Sequence, residues 1–243
     1  MNTDLGGRRL LVTGASSGIG AATARVCAAA GARVALVARR GDAIRALAEE
    51  VGGVPIPADL TDEPAAVAAV ERAATELGGL DGLVNAAGLM RVAPIAEAPS
   101  SDWRAMFDLN VLALLVVTQA AIPHLRAAGG GDVVNVSSLS GRRVPSAPSA
   151  VYSASKFAVH AVSEGLRQEL HDDGIRVVVA APGFVRTELF GGNAGEAAQR
   201  LRTRADEVGL EADDVAVEIA RVMGLPRGVL VREIALSGLG QDT

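Results

Sequence analysis

Short runs of aliphatic and β-branched residues alternate along the chain with longer, alanine-rich segments of helical character, and glycine closes many of the latter. A strand that is apolar throughout, rather than at every second residue, is suited to burial on both faces. The repeated order strand, helix, strand therefore predicts a parallel sheet covered on both sides by crossover helices. Residues 10–12 open the sheet. A helix over 18–30 stops at Gly31, a strand over 33–37 follows, and the next helix, capped by Asp42, ends near Gly52 and Gly53. Strands over 54–58, 83–85 and 133–137 are separated by helices over 63–77 and 102–126. A long helix over 151–171 then leads to a strand over 175–181, a helix over 212–223 and a last strand over 229–236.

No linker divides this pattern, and a chain of 243 residues with 49% hydrophobic content is long enough for one sizeable core. A single α/β domain over 1–243 is expected. The irregular stretch is 184–209, where Gly191, Gly192, Gly195 and three alternating arginines interrupt any clear periodicity, as expected of a mobile lid over a substrate. A net charge of −5 without clustered basic residues argues against a nucleic-acid partner, so any phosphate site must be local. Cys27, the one cysteine, has no intrachain partner and is read as core packing. His124, His160 and His171 are too scattered for a metal site. The apolar stretch 111–117 lies between Asn110 and Gln119 and is read as a buried helix. With no long apolar run before the first strand, neither secretion nor membrane spanning is expected, and a reducing cytoplasm suits the chain.

Chemistry enters where the first strand runs into TGASSGIG, which places Gly14, Gly18 and Gly20 at a strand-to-helix turn. Glycine lets the backbone approach a pyrophosphate, and a helix N-terminus offers unpaired N–H groups and the positive end of a dipole. After the second strand, where an acidic residue would hold ribose hydroxyls, the chain has Arg39 and Arg40, which favours the 2′-phosphate of NADP(H). In YSASK, Tyr152 and Lys156 are four residues apart and leave one face of a helix on successive turns. Tyr152 is the only tyrosine and Lys156 the only lysine, the other 22 of the 23 Lys and Arg residues being arginine. A free tyrosine titrates near 10, so the expectation is that the ammonium lowers the Tyr152 pKa for proton transfer.

Taken in order, these motifs resemble the short-chain dehydrogenase/reductase superfamily over nearly the whole chain. The resemblance rests on TGASSGIG, Asp59 in DLTD, NAAG at 85–88, Asn110, Ser138 in VNVSSLSG, YSASK and PGFVRT at 182–187. It implies a Rossmann-like doubly wound sheet and a catalytic set of Asn110, Ser138, Tyr152 and Lys156. Ser138 would hydrogen-bond the substrate oxygen, Tyr152 would transfer the proton, and Asn110 would disturb its helix and hold a water that links Lys156 to a proton relay. Cofactor contacts are implied for Gly14, Ser16, Ser17, Gly18, Ile19, Gly20, Arg39, Arg40, Asp59 on the adenine side, Leu60, Asn85, Ala86 and Gly88. On the nicotinamide side they are implied for Tyr152, Lys156, Pro182, Gly183, Val185 and Thr187. Ala86 stands where an asparagine is commoner in the family, with little consequence expected.

The expected activity is NADP(H)-dependent hydride transfer between nicotinamide and a ketone or aldehyde and its alcohol. The alternative is a non-catalytic NADP(H)-binding sensor or assembly protein, against which the intact Ser138, Asn110, Tyr152 and Lys156 speak. Substrate contacts are expected from 89–99, 139–151 and the segment after Phe184, with Leu89, Met90, Val144, Phe184, Leu189 and Phe190 as apolar candidates. Arg200 and Arg204 can greet an anion, but Glu196, four residues before Arg200, favours an ordinary surface pair. By analogy with the family a homotetramer is expected, through the long helix that offers Val159 and Val162.

Overall fold

The computed structural model describes residues 3–190, 193 and 195–241. Its elements are β1 (Arg9–Thr13), α1 (Gly18–Ala29), β2 (Arg33–Ala38), α2 (Gly41–Val51), β3 (Val54–Pro57), α3 (Glu63–Leu77) and β4 (Gly82–Asn85). There follow α4 (Ser100–Phe107), α5 (Ala113–Ala127), β5 (Gly131–Val136), α6 (Ala150–Glu169), β6 (Ile175–Pro182), α7 (Gly195–Val208), α8 (Ala212–Met223) and β7 (Glu233–Leu236). The strands pair in parallel as one seven-stranded sheet in the order β3-β2-β1-β4-β5-β6-β7. This is a single-domain Rossmann-like fold. Strand order reverses between β1 and β4, and the crevice at the carboxyl ends of strands at such a switch point is where open α/β sheets bind ligands.

Alternate residues of the strands supply two cores. Leu10, Val12, Val34 and Leu36 join α1, α2 and α8 in one, and Leu11, Ala35, Val37 and Leu83 join α3, α5 and α6 in the other. Small residues such as Ala24, Ala66, Ala73 and Ala121 bring the helices close to the sheet. Cys27 is part of the first core, where burial pushes its thiol up to about 12. At the amino-terminal edge of the sheet, away from the crevice, Asp132 is 1% exposed and holds Arg176 at 2.6 Å and Arg8 at 2.7 Å.

Several sequence-based expectations change in detail. The helix expected over 102–126 is broken by a widened π turn at Asp108–Leu112, which falls at Asn110. Asp42 does not cap α2: the cap position is Arg40, and Asp42 lies in the first turn paired with Arg45. The last strand begins at Glu233, not at 229. The stretch expected to be irregular contains α7, whose buried face is carried by Ala198, Leu201 and Ala205. Alanines in place of larger apolar residues, among alternating arginines, left that periodicity faint. Gly191 and Gly192 lie outside the described residues.

Val159 is fully buried in the chain itself, so it is not offered to a partner, whereas Val162 is half-buried against the second core; the exposed large apolar side chain of α6 is Phe157. The helical stretch Ser100–Ala127 is long and apolar enough to cross a membrane by length and composition alone. Ala113, Val117, Ala121 and Leu125 within it pack into the second core.

Candidate active site

A cavity of about 770 Å³ opens at the carboxyl ends of the strands. It is within the range of small-molecule and cofactor sites. Gly14, Ser16, Ser17, Gly18 and Ile19 line it where β1 turns into α1. Gly14 has φ +65°, and a Cβ there would sit 2.7 Å from the Ala86 carbonyl oxygen, so the turn demands glycine twice over. Thr13 anchors this turn to the one after β4: its hydroxyl accepts the Ala86 and Ala87 N–H groups at 3.1 and 3.2 Å. Ser17 is the N-cap of α1 but makes no side-chain capping bond, leaving a helix N-terminus at the cavity wall.

Arg39, Arg40, Asp59 and Leu60 line the far end. Arg40 donates to the Ser16 hydroxyl at 3.1 Å and to Glu188 at 2.8 Å, tying the glycine turn to the segment after β6. Arg39 is more exposed and lies 3.9 Å from Asp59. The backbone and hydroxyl of Thr61 both donate to Asp59 and hold its carboxyl below the usual range, with Arg39 adding to the effect.

In the middle of the cavity stand Ser138, Tyr152 and Lys156. Ser138 lies just beyond β5, followed by a one-turn 3-10 helix; its hydroxyl accepts the Ser140 N–H at 3.1 Å and is near enough to Tyr152 to act on that phenol. Lys156 Nζ donates to the Val136 carbonyl at 2.9 Å and lies 5.9 Å from the centroid of the Tyr152 ring. Burial pushes Tyr152 up to about 12, the nearby Ser138 hydroxyl only partly offsetting it, and pushes Lys156 down to about 8. The lowering of the tyrosine expected from spacing is thus reversed in the protein alone. Four-residue spacing places the ammonium nearby, but burial of the phenol sets the direction of the shift.

Pro182, Gly183, Val185 and Thr187 complete the wall, with Ala86 and Gly88 opposite. Gly20, Asn85 and Asn110 do not line it. Gly20 allows close packing of α1 on the Gly14 turn, and Asn85 is buried, donating to Thr118 and Asn135. Asn110 exchanges hydrogen bonds with the Leu89 backbone at 2.7 and 2.9 Å and donates to Ser155 at 3.0 Å, joining the segment after β4 to α6. Of the apolar candidates, Leu89, Met90, Phe184, Leu189 and Phe190 line the cavity, whereas Val144 is exposed and does not.

Sequence reasoning missed Gln241. Its side-chain oxygen accepts the Phe184 N–H at 2.8 Å and sits where a Cβ on Gly183 would be, bringing the last described residue onto the cavity. Nothing in the sequence pairs positions 57 residues apart in this way.

Residues 8–197 match the family described as short chain dehydrogenase. The chain is 39% identical to an uncharacterised oxidoreductase of Staphylococcus haemolyticus over 78% of this chain and 85% of that protein. It is 38% identical to a glycine betaine reductase of Emericella nidulans over 96% of this chain, but spans only 19% of that protein's length. A short chain dehydrogenase from Burkholderia cenocepacia, solved in complex with NADP, has the same fold at a TM-score of 0.86 and 36% identity, over 96% of this chain and 98% of that one. A glycine turn at the switch point, a Ser, Tyr and Lys set beneath one cavity, and these likenesses agree: the chain belongs to the short chain dehydrogenase family of oxidoreductases.

Proposed function

We propose that the protein is an NADP(H)-dependent carbonyl reductase or alcohol dehydrogenase, interconverting a ketone or aldehyde and its alcohol. The observation that carries this reading is the buried Ser138–Tyr152–Lys156 set at the wall of a cavity that also holds the glycine turn. The residues present fit the cofactor. The uncapped N-terminus of α1 suits a pyrophosphate, Arg39 and Arg40 suit a 2′-phosphate, and Lys156, with three N–H donors and one hydrogen bond to Val136, has donors for a ribose. When bound, the nicotinamide supplies or accepts the hydride.

The chain's own part is proton transfer and orientation. With its pKa pushed up to about 12, the Tyr152 hydroxyl is protonated across the neutral range and can donate to a carbonyl oxygen, which is the reductive direction. Ser138 positions that oxygen through a second hydrogen bond. Asn110 keeps Leu89 and Ser155 in place, and so supports both the cavity wall and the turn of α6 that carries Tyr152. The segment 184–209 acts as a lid, with Phe184, Leu189, Phe190 and Leu201 against the substrate. The protein works in the cytoplasm as a homotetramer, for which Phe107, Leu112 and Phe157 offer exposed apolar surface near α6. Incubating the protein with NADPH and a panel of ketones and aldehydes, and following loss of NADPH absorbance, tests the activity. Tight nucleotide binding with no turnover across the panel would replace it with a sensor or assembly role.

A further inference from the structure

The proposed reaction makes no use of His160, yet that side chain lies against the turn that Ser138 begins. It is one helical turn beyond Lys156 and two beyond Tyr152, so all three leave one face of α6. Its ring packs on Gly141, the last residue of the one-turn 3-10 helix after Ser138. A Cβ at Gly141 would sit 2.6 Å from the ring's Cδ2, 2.7 Å from Nε2 and 2.8 Å from the Lys156 carbonyl oxygen. Glycine thus lets the turn rest on α6 where Lys156 and His160 succeed one another. The ring's Nδ1 lies 3.9 Å from Glu233 of β7, and Glu233 accepts from Arg142, the residue after Gly141, at 2.7 Å on each carboxylate oxygen. One end of the turn therefore carries the Ser138 hydroxyl on the cavity, and the other is seated on His160 and Glu233. The Gly141 N–H donates back to the Ser138 carbonyl at 2.9 Å and the Ser140 N–H to the Ser138 hydroxyl at 3.1 Å, which ties the two ends together.

We propose that His160 is a positioning residue for Ser138: its neutral ring seats the turn that holds the Ser138 hydroxyl toward the substrate oxygen, and a proton on the ring unseats that turn. The inference rests on the reductase reading for the role of Ser138. The charged groups that act on the ring are Lys156 on its own helix, Arg142 on the turn and Glu233 on β7. Burial holds the His160 pKa below its ordinary 6.5, Arg142 and Lys156 adding to the effect and Glu233 and the Ser138 backbone opposing it. Nε2 is buried and makes no hydrogen bond among the described residues. Protonation would set a further cation beside Lys156 and Arg142, in competition with Arg142 for the Glu233 carboxylate, and give Nε2 a charged N–H with no partner in the present seat. Tyr152 and Lys156, near 12 and 8, stay protonated below pH 6.5, so an activity change in that range does not come from them.

Initial rates with NADPH and a neutral ketone, measured from about pH 5 to about pH 8, should show kcat/KM falling as the pH drops below 6.5. His160→Gln does not titrate there; it should lower kcat/KM several-fold at neutral pH and lose the acid limb. Glu233→Gln removes the carboxylate that favours the charged ring and should move the limb to lower pH. The chain has three histidines, so their ring C–H signals can be followed by NMR, the His160 signal being the one that His160→Gln removes. In wild type the backbone amide signals of Gly141 and Arg142 should titrate with the midpoint of that ring, and in the variant they should not. An acid limb unchanged in His160→Gln, or amides that do not follow the ring, overturns the proposal. If no carbonyl compound reacts, the reductase reading fails by itself. The amide titration then decides the coupling of ring to turn separately, with flat wild-type amide signals counting against it.

Discussion

Lys156→Met should make the protein more stable at neutral pH while removing its activity. The ammonium is 5% exposed, and burial holds its pKa near 8 against an ordinary 10.5. At about 1.4 kcal/mol per pH unit, keeping the charge in the fold at pH 7 costs about 3 kcal/mol. Methionine is similar in length and volume but uncharged, so the substitution relieves that cost. It forfeits the bond to the Val136 carbonyl, worth about 1 kcal/mol. The net gain is about 2 kcal/mol, or roughly 4–8 °C in Tm for a chain of this size. Between pH 8 and 10.5 the unfolded lysine binds a proton that the folded one has lost, so wild-type stability rises with pH there and the variant's does not. The advantage is therefore full below pH 8 and nearly gone by about pH 9.5. Tyr152, pushed up to about 12, acts in the opposite sense, but only above pH 10 and in both proteins. Urea unfolding of the cofactor-free protein at pH 7 and pH 9.5, followed by circular dichroism, measures both differences. A variant less stable than wild type at pH 7, or a difference independent of pH, would refute the claim that this site stores the cost of a buried charge.

Tyr152→Phe should keep the fold and NADPH affinity but lower kcat by several orders of magnitude, since it deletes the proton donor and little volume; near-normal turnover in steady-state assays would remove the assigned role. Arg39→Asp should reverse or erase a preference for NADPH over NADH, because a carboxylate repels the 2′-phosphate and can hold ribose hydroxyls, and an unchanged ratio of dissociation constants for the two nucleotides would count against the cofactor assignment. Asp132→Asn should cost about 3–5 kcal/mol of stability by leaving Arg176 and Arg8 without their buried counter-charge, while the specific activity of the folded fraction stays level, as denaturant titration and assay of the same preparation would show.

What was legible in the sequence was local. β1 to β6 are short, strongly apolar and separated by helices that end in glycine, and each such signal lies within a dozen or so residues. The glycine turn was legible because Gly14 must take a positive φ against the Ala86 backbone. Relations between distant positions were not. Arg40 reaches Glu188 across 148 residues and Gln241 closes on Phe184 across 57, and no periodicity reports either contact. α7 escaped because alanine buries a helix face without raising its hydrophobic contrast. Val159 shows the converse: an apolar residue away from the Tyr152 face reads as surface for a partner until the fold is seen to bury it.

The Tyr152–Lys156 pair sits between these cases. Its spacing correctly predicts a shared helix face, but the sign of a pKa shift depends on how much water both groups lose, and that is a property of the whole crevice. Ser138, Val136, Gly88 and residues after β6 line the same cavity as the pair. A nicotinamide cofactor laid along the same wall would exclude water there, while adding phosphates at the far end and ribose hydroxyls within reach of Lys156. On the proposed reading, proton transfer would be tuned jointly by chain and cofactor, with the protein alone holding Tyr152 in its protonated form.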